Sequence, residues 1–426
     1  MNGNDKTLDI CVVGGGFAGL NSALLLGKSR KKCAVFTTGY GASNLWMGTF
    51  DFLNYNSNDI KESFLIFKRE HPKHPYHFFE YKEISNALNQ FFEEFQDVEN
   101  FKQGSELINE KVLTSIGTLK PCLGIWSSLF YDFSSLNSNS NVILIGFNEF
   151  NNSALNLVQK GLQEVFKSNF FLLNLSFYDF YELLEGNDID DPSKFKLSEF
   201  RLGRFFDSKY DKMEFFTKLI LNHKDNDLKE ISGKKIQFYL FPPILGINKN
   251  SEILHTLSTN LNSNCKELIA LSPSLIANRL LDQYEQKLKA LEVPVYKGKI
   301  LTNIEKYDNN RIWKLDFEDR KGIKKTIKSK SVIFATGSMF QAGLFESEIK
   351  IKNMFEKLMI TIPNDFDSKF QLIFDNEKTS TNLYVCGSAL YNFSSHISDS
   401  SEIKYGTGLG LPIISSNKVV QSILNN

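Results

Sequence analysis

Apolar and polar positions along this chain follow two periods, and their order outlines the elements. Leu8–Val13 is apolar throughout and reads as a buried parallel strand, residues from Phe17 repeat apolar positions at helical spacing, and Lys32 to Phe36 reads as a second strand. Polar helical segments follow near Ile60–Lys68 and Glu83–Phe95. "NVILIGFNEF" (Asn141–Phe150) is another buried strand, leading into an amphipathic helix through Gln163. "FFLLNLSFYDFYEL" fits strand or helix, with a strand and flanking turn favoured. "SEFRLGRFFDS" and "DKMEFFTKLILNH" read as two helices of a second unit, and "IQFYLFPPILGI" as a strand stopped at Pro242 and Pro243, which cannot donate to a ladder. From Lys299 to Phe334 short alternating strands recur, with a turn at Asp308–Asn310.

Between the first strand and first helix, Gly14, Gly16 and Gly19 stand at G-x-G-x-x-G spacing. Gly14 permits a tight turn, Gly16 lets backbone approach a pyrophosphate, and Gly19 lets helix pack on strand. The phosphates would meet the N–H groups at the positive end of the helix. The usual carboxylate at the end of the second strand, which accepts from the ribose hydroxyls, is missing: no Asp or Glu occurs between Asp9 and Asp51, and Thr37 and Thr38 stand there instead. Arg30, Lys31 and Lys32 precede that strand and read as a solvated helix end.

Two later stretches complete a pattern. "SVIFATGSMFQAGLF" carries a buried strand ending in Ala335-Thr336-Gly337, and "TNLYVCGSAL" a strand ending at Gly387, before a Gly-rich approach (Gly406, Gly408, Gly410) to a final apolar helix. In that order the three describe a flavin fold better than a nicotinamide dehydrogenase. Where flavoproteins usually carry Asp after the last strand's Gly, this chain has Ser388. The fold class expected is α/β: a Rossmann-like flavin-binding domain formed discontinuously by 1–150 and 330–426, with a cap or substrate domain over 151–329 that includes the β-rich insertion. The cofactor-binding set expected is Gly14, Gly15, Gly16, Gly19, Thr37, Thr38, Gly48, Ala335, Thr336, Gly337, Gly387, Ser388 and Gly408. With both gripping carboxylates absent, FAD and FMN stay open.

Composition narrows the class. The 426 residues, 42% hydrophobic, can bury a large core in two or three domains. Equal counts of 49 basic and 49 acidic residues give no global field for nucleic acid or acidic membrane. The five cysteines are scattered without C-x-x-C spacing, which suits buried thiols in a reducing compartment and excludes the usual iron–sulfur patterns. The N-terminus lacks a signal peptide and no apolar run approaches the ~20 residues of a spanning helix, so a soluble, cytoplasmic protein is expected.

The stretches "VVGGGFAGL", "GTFDFL" (Gly48–Leu53), "HPY" (His74–Tyr76), "GTLKP" (Gly117–Pro121), "ILIGF", "LSPSLIANRL" (Leu271–Leu280), "ATGSMFQAGL" and "NLYVCGSAL" together resemble the B-subunit family of anaerobic glycerol-3-phosphate dehydrogenase. That family also lacks the two acids. The resemblance implies a flavoprotein with FMN, FAD being the alternative, that works with the flavin-bearing A and the membrane-associated iron–sulfur C subunits of one complex. It implies oxidation of sn-glycerol 3-phosphate to dihydroxyacetone phosphate, electrons passing towards quinone, and contact with the inner face of the membrane through partners only. The chain departs from the family at "SNLWMGTF" and in the more polar loop "YNFSSHISDSSEIKYGTG". Two other readings stand beside it: a non-catalytic electron-relay or structural partner of a flavin dehydrogenase complex, and another flavin oxidoreductase.

Alcohol oxidation needs a base for the hydroxyl proton and groups that hold the phosphate. His74, in the cluster His71, His74 and His77, is the base candidate, against a proline-stiffened surface loop; the same prolines deny the cluster the i, i+4 geometry of a metal site, so no metal is expected. Arg279 is the phosphate clamp candidate, against a helix-surface Arg. Asp51 caps a turn or lines the flavin pocket, the cap being the safer reading.

Overall fold

The computed structural model describes residues 7–114, 118–130, 136–149, 155–176, 178–180, 198–269, 274–307, 312–337, 365–373, 381–392 and 408–425. The expected turn at Asp308–Asn310, Leu271–Pro273, Gly117, the stretch after Gly337 in "ATGSMFQAGL", most of the polar loop before Gly408, and Gly406 within it lie outside them.

The strands used below are β1 (Leu8–Val13), β2 (Cys33–Thr37), β3 (Asn141–Phe147), β4 (Asn169–Leu175), β5 (Phe238–Phe241), β6 (Asn264–Glu267), β7 (Val295–Lys297), β8 (Lys299–Tyr307), β9 (Ile312–Asp319), β10 (Lys324–Phe334) and β11 (Leu383–Val385). The helices are α1 (Phe17–Lys28), α2 (Ile60–Glu70), α3 (Tyr81–Glu94), α4 (Leu155–Val165), α5 (Glu199–Ser208), α6 (Met213–Asp227), α7 (Asn250–Leu261), α8 (Leu275–Ala290) and α9 (Gly410–Leu424).

A seven-stranded sheet runs β7-β2-β1-β10-β9-β8, with β11 also paired to β10. Its nucleotide half is parallel: β1 lies between β2 and β10, and β11 pairs with the C-terminal end of β10. The N-terminal half of β10 instead pairs antiparallel with β9, which pairs with β8. One long strand therefore welds the β-rich insertion to the nucleotide sheet. A second sheet, β4-β3-β5-β6, is wholly parallel. All seven residues of β3 are buried, the signature of a strand covered on both faces. Val142 and Leu144 pack towards α4, whereas Ile143, Ile145 and Phe147 pack with residues of α5, α6 and α7, as a period of two requires. Strand β5 ends at Phe241, directly before Pro242.

The α/β class and the strand-rich insertion are present, but the boundaries drawn from sequence need correction at two places. β3, assigned to the first unit, belongs to the second sheet, and β7 to β10, assigned largely to the cap, belong to the first. Apolar runs reveal strands; they do not reveal which distant strand completes the ladder.

Helix α8 joins the two cores. Ile276, Leu280 and Tyr284 pack in the core of the first sheet, while Arg279 on the same helix turns to Glu267 at the end of β6. Both side chains are removed from solvent, at 1% and 0% exposure. Arg279 donates from Nη1 to Glu267 Oε2 (2.6 Å), from Nη2 to Oε1 (3.0 Å) and from Nε to the Gly246 carbonyl (2.9 Å). Glu267 also accepts from the Ser128 hydroxyl, the Leu245 N–H and Asn250 Nδ2. Such a pair survives burial because nearly every lone pair and proton is met, and removing one member leaves a bare charge inside at a cost of about 3–5 kcal/mol. Arg279→Met should therefore lower stability by roughly that amount in urea unfolding, and adding Glu267→Gln should recover part of the loss; a single variant as stable as the parent would contradict the assignment.

Candidate cofactor site

The parallel strands finish along one edge. Gly14 N–H donates to the Phe36 carbonyl (2.9 Å), Ala335 N–H to Val13 (2.8 Å) and Cys386 N–H to Phe334 (3.0 Å), so the turns after β2, β1, β10 and β11 stand in a row. That carboxyl edge is where open α/β sheets bind ligands. A cavity of about 470 Å³ lies against it, lined by the turns after all four strands. β2 and β11 are three strand spacings apart, on the order of 14 Å. At the β2 side the wall continues into Lys299, Ile300 and Leu301, because Lys297 of β7 is in register with Thr37. At the β11 side it continues into Gly387, Ser388, Asp51 and the start of α9 at Gly408 to Pro412.

The middle of the wall is backbone. Gly14 has φ +119°, and a Cβ there would lie 2.2 Å from the Ala335 carbonyl oxygen; a Cβ on Gly19 would lie 2.0 Å from the Gly14 oxygen. Both glycines are demanded by contact between main chains. Helix α1 begins at Gly16 with no side-chain cap and no acidic residue in its first turn, and the Phe17 N–H donates to Ser43 Oγ (2.9 Å). A concave backbone surface at the positive end of a helix, free of carboxylates, fits a pyrophosphate.

Beside it, the Thr37 hydroxyl is turned inward: it donates to the Gly39 carbonyl (2.5 Å) and accepts from the Gly39 N–H (3.0 Å). It closes its own turn and does not stand in for the missing carboxylate. At the far end Asp51 and Lys120 form a pair that sequence reasoning missed. Lys120 Nζ donates to Asp51 Oδ1 and Oδ2, both at 3.0 Å, and to Thr49 Oγ1 at 2.6 Å. Burial lifts the Asp51 carboxyl above its ordinary range, and Lys120 and Thr49 draw it back. Lys120 lies in "GTLKP", but nothing local in that stretch announces an ion pair to a residue so distant in sequence.

Of the expected cofactor residues, Gly14, Gly15, Gly16, Thr37, Thr38, Ala335, Thr336, Gly337, Gly387, Ser388 and Gly408 line the cavity. Gly19 and Gly48 do not line it. Gly48, at φ +99°, serves packing, since a Cβ there would meet Leu129 at 2.4 Å. Both catalytic candidates are corrected. His74 is wholly buried away from the cavity: its Nδ1 accepts the Tyr76 N–H (3.1 Å), so Nε2 carries the proton to the Tyr391 hydroxyl (3.0 Å). It caps a turn that Pro75 begins. Arg279 spends its guanidinium on Glu267 and cannot also clamp a phosphate. Asp51 goes the other way, lining the cavity where a turn cap was the safer reading. All five cysteines are buried free thiols, and among the described residues no helix is long and apolar enough to cross a membrane.

Residues 9–175 match the family model described as "FAD binding domain". The B subunit of anaerobic glycerol-3-phosphate dehydrogenase from Haemophilus influenzae (strain 86-028NP) is 24% identical over 98% of this chain and 99% of its own. The protein of the same name from Actinobacillus pleuropneumoniae serotype 5b (strain L20) is 21% identical over 97% of this chain and 98% of its own. The chain thus carries a flavin-binding domain, and its resemblance to the B-subunit family of anaerobic glycerol-3-phosphate dehydrogenase, read first from scattered motifs, is borne out along nearly its whole length.

Proposed function

We propose that this chain is the flavin-dependent B subunit of a quinone-linked glycerol-3-phosphate dehydrogenase complex, and that its cofactor is FAD. The observation that carries the cofactor reading is the extent of the cavity: its wall passes from Lys299–Leu301, across the backbone cradle of Gly14–Gly16, to Gly408–Pro412. A mononucleotide would use one side of that cradle, whereas a dinucleotide uses both. FAD therefore takes the place of the FMN that the resemblance implies.

In this reading the α1 N-terminus would hold the pyrophosphate, and Thr38 with Lys299–Leu301 would hold the adenosine end without a carboxylate to grip its ribose. Ser388, Gly408 and Asp51 would hold the isoalloxazine end. Bound flavin supplies the two-electron acceptor for oxidation of the secondary alcohol of sn-glycerol 3-phosphate to dihydroxyacetone phosphate. The relatives' name, that of a B subunit, and their match over the full chain support a place in a heteromeric complex, beside the flavin-bearing A subunit, with an iron–sulfur C subunit providing the membrane contact.

The purified protein should be yellow, release FAD on denaturation and bleach on anaerobic addition of glycerol 3-phosphate. Released FMN would overturn the dinucleotide reading, and a protein colourless even with flavin supplied would overturn the flavin reading. Gly14→Val should weaken flavin binding about 10- to 100-fold, roughly 1.4–2.8 kcal/mol, in a fluorescence titration, because its side chain has no room against Ala335.

A further inference from the structure

Resting on that functional reading, we propose that Asp51 accepts the proton of the substrate hydroxyl, and that Lys120 is the positioning residue that holds its carboxylate ionised and in place.

The cavity wall narrows the choice of base. Among its described residues Asp51 is the only carboxylate and there is no histidine. The other titratable groups there are Tyr40, Lys299 and Cys386. Lys299 is paired with Asp319 at the adenosine side (3.0 Å), and the Cys386 thiol is pushed up to about 12 by burial. Tyr40 lies in the turn after β2, on the same side of the cradle as Lys299. Asp51 alone among them can take a proton at the isoalloxazine end.

Its setting is built. The Asp51 carbonyl accepts the Gly410 N–H (3.0 Å), and Gly408 packs so closely on Asp51 that a Cβ would lie 2.5 Å from that carbonyl oxygen. The backbone of Asp51 is thereby fixed to the α9 turn. Because Thr49 Oγ1 accepts from Lys120, its own proton goes to Asp51 Oδ2 (3.3 Å). The Asp51 side chain nevertheless keeps 43% of its surface exposed, and of the pair only Asp51 lines the cavity.

In the step, the alcohol O–H bond breaks and its proton goes to an Asp51 oxygen, while the O–H electron pair becomes the second bond of the carbonyl. Flavin held against the Gly14–Gly16 cradle would supply the oxidant, taking the carbinol C–H pair as hydride. Asp51 must be ionised, so activity falls as pH drops through its pKa. Among the described residues, the charged or titratable groups facing it are Lys120 and, on the same strand (Leu119–Cys122), Cys122, whose thiol is pushed up to about 12 by burial and by Asp51 itself. The α9 start, Gly408–Pro412, brings none. Removing the Lys120 charge must raise the pKa of Asp51 and move the acid limb to higher pH.

The test uses purified protein loaded with FAD and compares Asp51→Asn, Lys120→Met and Lys120→Arg with the parent. Two readouts are taken: stopped-flow bleaching by glycerol 3-phosphate against pH, and the pH titration of the bound-flavin spectrum without substrate. Asp51→Asn should bind FAD within about threefold of the parent, bleach at least ~100-fold more slowly, and lose the acidic step of the spectral titration. Lys120→Met should shift that step and the acid limb upward together, and Lys120→Arg should restore both. Bleaching of Asp51→Asn at the parental rate, or an unmoved acid limb in Lys120→Met, would overturn the proposal and leave the flavin reading intact. A parent protein that holds no flavin, or holds it but is not bleached, would overturn the functional reading and this inference with it.

Discussion

In the nucleotide-binding half the main chains of Gly14 and Ala335 approach with no room for one Cβ between them, and the site depends on that contact. The two segments are separated by most of the sequence. They meet because β1 and β10 are parallel neighbours in register, Val13 opposite Phe334, so the glycine turn and the A-T-G turn emerge side by side. β2 and β11 extend the same edge in either direction. A side chain at Gly14 would part the two turns, and a side chain at Gly19 would push α1 off the strand and carry its positive end away from the cradle. The cradle is thus a product of backbone packing, with charged side chains entering only at its ends.

The same economy of polar groups holds elsewhere. The fully buried pair of Glu267 with Arg279 lies away from the cavity and ties the second sheet to α8, whose other face is part of the first core. Buried ion pairs of this kind contribute little over apolar residues of equal volume but tolerate no partial loss. By contrast, the pair Asp51 and Lys120 is only partly buried, and its carboxylate lines the cavity. One pair fixes an arrangement; the other is left open enough to exchange a proton.

Much of this was legible in the sequence, for a physical reason. Strands buried on both faces and glycines at fixed spacing are local signals, so β1, β2, β3, β5, β10 and β11 could be named in advance, and eleven of the thirteen residues expected at the cofactor line the cavity. What failed was long-range. That β3 joins the second sheet and β7 to β10 the first is decided by pairing across many residues. His74 looked chemical because of its type and neighbours, yet burial against Tyr391 makes it a turn cap. Arg279 looked free because Glu267 lies on another element. Lys120 was silent because its partner, Asp51, is remote in sequence. The missing ribose carboxylate was a true absence, and Thr37, its apparent replacement, is occupied by its own turn.

One cavity along the carboxyl edge of the first sheet, on this account, holds a flavin dinucleotide end to end. The most direct measurement is a crystal structure of the protein with its cofactor bound. The expected result is the pyrophosphate over Gly14–Gly16, the adenine beside Lys299–Leu301 and the isoalloxazine beside Asp51 and Ser388. Electron density that stopped at a single phosphate, or a flavin lying away from that edge, would contradict it.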